Sequence, residues 1–304
     1  EITTRLVGSE MCIRDRMISN DKDTGMWQSV YESASKEAEE KDAYVELLSP
    51  EQMNGYSQAD CLKIGIASQV DGIILEADGS KEEQHLINEA LKEKIPVVTV
   101  MTDDTATGRI SFVGLNSYQT GSAYTEQISG MLKAQGTTSV MFLSTSSSKT
   151  QETNLVYSQV KKELEAQKKT GQSVDLTEYC VDSSADFDTE EFVRDMFVND
   201  ENLPDVLVCM DEVVTECVYQ ALIDYNQVGN VKVIGFYYSD VILDAIDKEI
   251  ISSAIALDMD EIGRYSVNAL DEYLSLGHSN NYYSVNQHVI TKENTKDYRT
   301  EDEK

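Results

Sequence analysis

Short unbroken apolar runs alternate along this chain with longer stretches whose apolar residues recur at helical spacing. The first strand-length runs are Ala43–Leu48 (AYVELL), 71–75 (DGIIL) and 96–100 (PVVTV). PVVTV is β-branched on both sides of its alternation, the pattern of a parallel strand covered on both faces. Between the runs, 58–69 reads as a helix with Cys61, Ile64 and Ala67 on one face, flanked by Leu62 and Ile66. The helix over 84–94 turns Leu86, Ile87, Ala90 and Leu91 inward. The alternation then begins again. A strand at 139–143 (SVMFL) leads to a helix at 154–166 with Val156, Val160 and Leu164 inside. A strand at Val206–Cys209, a helix at 213–225 and a strand at 231–235 (VKVIG) follow. This order predicts open, doubly wound parallel sheets with right-handed crossovers. Two such halves without a Pro- or Gly-rich linker predict two similar lobes sharing a hinge, with 103–108 (DDTATG) as the first crossover. In sheets of this kind the ligand lies beyond the carboxyl ends of the strands. That directs attention to Met101 and Thr102, to Ser144 through Ser148, to Met210 through Glu212, and to Tyr237 with Tyr238.

Composition narrows the function classes. A chain of 304 residues is too long for one open sheet and suits two domains. It carries 55 acids against 25 bases, a formal charge of -30, which disfavours nucleic acid and anionic membrane surfaces as partners. The five cysteines are scattered and odd in number, and support neither a disulfide framework nor a metal site. Cys209 and Cys217 read as small core residues. His85, His278 and His288 are far apart in sequence and form no metal or nucleophile–base motif. No run approaches the roughly 18 apolar residues of a membrane-spanning helix. The segment 7–16 (VGSEMCIRDR) resembles translated adaptor sequence, and Arg14, Asp15 and Arg16 stand where a buried first strand is due. Residues 1–16 are therefore expected to be a non-native leader, with native sequence starting near Met17 and the export signal missing.

Chemical motifs are absent. No GxGxxG follows a strand, and GxxxxGK[ST], GxSxG and HExxH do not occur. The serine run after SVMFL lacks the Gly and Lys of a phosphate cradle. Asp211 and Glu212 at a helix start are explained by capping and the helix dipole, not by acid–base work. No catalytic residue, metal ligand or cofactor is assigned.

Seven segments in order carry a family resemblance: DGIILEADGS, IPVVTVMTD, VGLNSYQTG, ADFD, VCMDE, VKVIGF and AIALDMDEIG. The chain resembles the periplasmic sugar-binding-protein superfamily of type I fold, in its ribose-binding-protein-like branch. The resemblance implies two Rossmann-like doubly wound parallel-sheet lobes joined by a three-strand hinge. It places 17–115 plus 258–281 in an N-terminal lobe and 116–257 plus 282–304 in a C-terminal lobe. It also implies an extracytoplasmic monomer that closes on a small-molecule ligand in the interlobe cleft and presents it to the membrane permease of an ABC importer. The alternative is a ligand-sensing ectodomain that reports to a sensor kinase. The superfamily's DNA-binding repressors add an N-terminal helix-turn-helix, for which the residues before Met17 contain no helix pair.

Carrying the family's ligand positions across by motif gives an altered pocket. Asn20 keeps the first-loop asparagine, and Trp27, with Met26 beside it, stands for an aromatic platform. Phe187 keeps the second aromatic. Met101 and Thr102 replace an Asp-Arg pair, Asn154 replaces an arginine, and Met210 replaces the asparagine before Asp211. Tyr237 replaces an aspartate and Leu257 a glutamine, while which of Tyr237 and Tyr238 points inward stays open. Each charge-assisted hydrogen bond removed is worth ~1.5–3 kcal/mol. Methionines at such positions favour an adaptable, weakly polar pocket. The expected ligand is less polar than a monosaccharide: aromatic, nucleobase-like or a short peptide.

Overall fold

The computed structural model describes residues 13–18, 25–49, 56–146, 150–181, 188–198 and 203–299. The chain divides into two compact units, Glu1–Gly114 with Met259–Val285, and Leu115–Asp258 with Asn286–Lys304.

In the first unit the alternation runs β1 (Ile13–Ile18), α1 (Gly25–Glu39), β2 (Ala43–Leu48), α2 (Gln58–Ala67) and β3 (Gly72–Leu75). It continues with α3 (Lys81–Lys92), β4 (Val97–Val100) and β5 (Ser111–Leu115), whose last residue opens the second unit. The chain later returns as α9 (Met259–Leu276) and β11 (Tyr282–Val285). The sheet order is β11-β5-β4-β3-β1-β2, and the pairs linking β2 through β5 are parallel. Every residue of β3 and β4 is buried, which is why both read as continuous apolar runs. Arg14, Asp15 and Arg16 do occupy a central strand, flanked on either side by β2 and β3.

The helices start where side chains replace missing backbone partners. Ser57 and Asp60 form a capping box at α2, and the Ser80 hydroxyl accepts the Glu83 N–H at α3. The cap at Ser80 starts α3 earlier than its apolar spacing suggested, at Lys81. The buried face of α2 is Gln58, Cys61, Leu62, Gly65 and Ile66, while Ala67 is exposed and Ile64 half-buried. The expected face of Cys61, Ile64 and Ala67 is thus rotated. Leu62 and Ile66, one turn apart, carry more apolar area and settle against β3 and α3.

The second unit repeats the arrangement. It contains α4 (Ser117–Met131), β6 (Gly136–Thr145), α5 (Gln151–Ala166), β7 (Gln172–Val181), α6 (Asp188–Val198) and β8 (Val206–Cys209). Then follow α7 (Glu212–Asp224), β9 (Lys232–Phe236), α8 (Asp240–Asp247), β10 (Ser253–Leu257) and β12 (Gln287–Ile290). The order β12-β10-β9-β8-β6-β7 matches the first sheet strand for strand, with β12 antiparallel to β10. Val156, Val160 and Leu164 face inward from α5 as expected.

Two boundaries differ from the sequence expectation. Residues 103–108 connect β4 to β5 within the first sheet, so the chain leaves that unit only after Gly114. A short polar segment between two apolar runs looks the same whether it joins neighbouring strands or neighbouring lobes. The last crossing falls after Val285, not after 281, because β11 adds to β5 at the edge of the first sheet.

Candidate functional site

In the second unit, Met210, Tyr237 and Leu257 stand at the carboxyl ends of β8, β9 and β10, which are neighbours in the sheet. The three apolar side chains are thereby brought to one edge. Leu257 is fully buried, and Met210 is half-buried against the cluster containing Tyr124, Phe142 and Val208. Tyr237 is buried, whereas Tyr238 is half-buried against the core beside Tyr298. Their rings lie 4.7 Å apart. Tyr237 adopts φ 71°, a left-handed conformation costly for a bulky side chain, while its N–H bonds the Ile255 carbonyl at 3.0 Å.

Asp211 is the N-cap of α7. One carboxylate oxygen accepts the Val214 N–H at 2.8 Å, and the other accepts the Thr145 N–H at 2.8 Å and hydroxyl at 3.1 Å. This matches the capping role read from its position and ties the ends of β6 and β8 together. Asn154 lies exposed in the first turn of α5. Of the serine run, Ser144 is buried in β6 and Ser146 exposed, while Ser147 and Ser148 lie outside the described residues.

In the first unit, Met101 and Thr102 follow β4, the counterpart of β9. Met101 has φ 63°, and its N–H bonds the Val113 carbonyl at 3.0 Å, repeating the conformation and bond of Tyr237. The Thr102 N–H turns back onto the Val100 carbonyl at 2.6 Å. The same strained turn thus closes equivalent strands in both units, where such strain commonly marks binding surfaces. Met26 is half-buried at the start of α1. Trp27 is 4% exposed on the stripe it shares with Val30, Ala34 and Ala38, and its indole N–H finds no partner among the described residues. Asn20 and Phe187 lie outside the described residues.

Two features near these strand ends escaped the sequence reading. Arg109 grips Asp103 bidentately, Nε to Oδ1 at 2.6 Å and Nη2 to Oδ2 at 2.7 Å, with both side chains about nine-tenths buried. Its Nη1 reaches the Asn281 side-chain oxygen at 2.6 Å, and the Thr99 hydroxyl caps Asp103 at 3.0 Å. The pair therefore fastens the segment leaving β4 to the segment entering β11. The other is Glu83, beneath the loop after β3. One oxygen accepts the Asp78 N–H at 2.8 Å, the carboxyl is buried, and desolvation raises its pKa to about 8. The Ser80-x-x-Glu83 spacing was the available signal, being that of a capping box.

Among the described residues no cluster of His, Cys, Asp or Glu could hold a metal ion. Burial pushes the Cys209 thiol up, and Cys217 to about 11, so both are poor nucleophiles packed as core residues. Among the described residues no helix is long and apolar enough to cross a membrane.

The model of a family described as a periplasmic binding protein domain matches residues 17–279. The chain belongs to that family. Its members are solute-binding proteins without enzymatic activity. No curated protein matches the sequence. Among solved structures, GanP, a glucose-galactose binding protein from Geobacillus stearothermophilus, is 20% identical with a TM-score of 0.78. That likeness covers 93% of this chain and 98% of GanP. An ABC transporter solute binding protein from Burkholderia graminis C4D1M, in complex with D-arabinose, is 18% identical with a TM-score of 0.80. It covers 95% of this chain and 98% of its own. A third, from Agrobacterium vitis with α-D-tagatopyranose bound, is 18% identical over 94% and 96% of the two chains, TM-score 0.77. At such identities the likeness establishes the fold.

Proposed function

We propose that this protein is an exported solute-binding protein that holds a small ligand against its strand ends and delivers it to an ABC importer. Family membership over 17–279 supports the class. The observation that bears on the ligand is the row Met210, Tyr237 and Leu257 ending three adjacent strands, with Met101 ending the equivalent strand of the first sheet. The proteins of similar fold carry D-arabinose, tagatopyranose or glucose and galactose in their descriptions. Sugar hydroxyls require charged or amide partners, which these positions do not supply. The ligand is therefore less polar than a monosaccharide, with Met26, Trp27, Thr102, Asn154 and Asp211 as its other contacts in the described chain, joined by Asn20 and Phe187.

A thermal-shift screen of pentoses, hexoses, nucleosides, aromatic acids and short peptides tests this. Ligand at a hundred times its Kd stabilises a binding protein by about 2.7 kcal/mol. Nucleosides, aromatic acids or peptides are expected to raise the melting temperature, and a simple pentose or hexose acting at micromolar concentration would overturn the weakly polar pocket. A second reading, a receptor that reports ligand to a membrane sensor kinase, draws on a similar fold solved as an XylFII–LytSN complex, 20% identical. Uptake of the identified ligand by cells carrying the permease, and its loss on deletion of this protein, separates transport from sensing.

A further inference from the structure

Far along the second sheet from the strand ends lies a cavity of about 660 Å³, where α4 and α5 end and β7 begins. Leu132, Leu164, Val174 and Leu176 give it apolar walls, and they are the outer layer of the core beneath Val160 and Phe142. Lys161, Lys168 and Lys169 stand on its rim, all exposed. Glu165 and Asp175 are the acids of the lining, so lysines outnumber carboxylates there in a chain that has 55 acids and 25 bases.

The pairing pattern sets these lysines apart from several others. Lys41, Lys63, Lys133, Lys248 and Lys292 each meet a carboxylate within 4.0 Å. Among the described residues, no such ion pair involves Lys161, Lys168 or Lys169. Lys168 and Lys169 follow the Gln167 cap, where the carbonyl end of α5 attracts cations. That accounts for their position in the chain but leaves Lys161, more than a turn inside the helix, unexplained. Exposed lysines can lay their stems along apolar surface while keeping their ammonium groups in water. The volume falls in the usual range of small-molecule sites, roughly 300–1,000 Å³.

We propose that this cavity binds a small organic anion with an apolar body: an acidic head group among the three lysines, and a hydrophobic portion against Leu164, Val174 and Leu176. The site is separate from the strand-end surface and does not depend on what binds there.

The full chain can be titrated with 1-anilinonaphthalene-8-sulfonate, an aromatic sulfonate whose fluorescence reports transfer to apolar surroundings. Saturable one-to-one binding is expected, weakened about tenfold or more by the pair K161E and K168E and by raised salt, as charge screening requires. Both lysines are exposed, so an unchanged melting curve checks folding; K232E, on another exposed lysine, should leave binding intact. Absence of saturable binding, equal affinity in K161E/K168E, or equal binding of the uncharged anilinonaphthalene would each overturn the proposal.

Discussion

Glu83 is 1% exposed, so its ionisation is opposed by burial and then by the neighbouring Asp78. Its pKa of about 8 lies well above the value of about 4.3 for an unfolded glutamate. Between those two values the folded chain holds a proton that the unfolded chain has released. Its contribution is therefore fully present below about pH 4.3 and falls as pH rises, until it is lost above about pH 8. E83Q keeps an acceptor for the Asp78 N–H and carries no charge. It should stabilise the protein by ~2–4 kcal/mol at pH 8.5 and by much less at pH 5. Equal effects in chemical denaturation at the two pH values would show that Glu83 does not titrate in this range. Other residue-scale features were partly legible. The capping of α7 by Asp211 follows from an acid placed just before an apolar helix pattern. The left-handed turns at Met101 and Tyr237 left no trace in the sequence, because neither is a residue that announces positive φ. Surrounding contacts impose that conformation.

Helices and strands were legible where burial was strong. β3, β4 and β8, buried along their whole length, stand out as apolar runs. β7 does not: its sequence QSVDLTEYCV is largely polar, and it sits at a sheet edge with only Val181 fully buried. It is a strand because ten residue pairs join it to β6. The α1–α9 packing was equally hidden, since it turns on one small residue. A Cβ on Gly263 would run into the Val30 carbonyl oxygen and come within 2.7 Å of the Ala34 nitrogen. Backbone atoms cannot swing aside as a side-chain tip can. G263A should therefore cost ~1–3 kcal/mol or more by forcing the two helices apart, despite the better helix propensity of alanine. A melting temperature equal to or above that of the parent chain would show that the helices have room to shift.

At the scale of the molecule, a formal charge of -30 opposes compaction through self-repulsion. The Debye length shrinks from about 30 Å at 0.01 M salt to about 8 Å at 0.15 M. The melting temperature should rise over that interval in sodium chloride, and a fall would mean that attractive pairs such as Arg299 with Asp244 and Asp247 outweigh the repulsion. The amino-acid sequence by itself determined the doubly wound α/β class, the repeated halves and where the buried strands end, because burial on both faces of a parallel sheet writes continuous apolar runs into the chain. Seven ordered motifs sufficed for the family. Only the tertiary structure decided which sheet 103–108 and β11 serve, that Met101 and Tyr237 share one strained turn, and that Arg109 closes on Asp103. It also decided that Glu83 loses water and that lysines gather round a cavity. Each of these depends on segments distant in sequence meeting in space, and on what their meeting excludes, which local pattern cannot record.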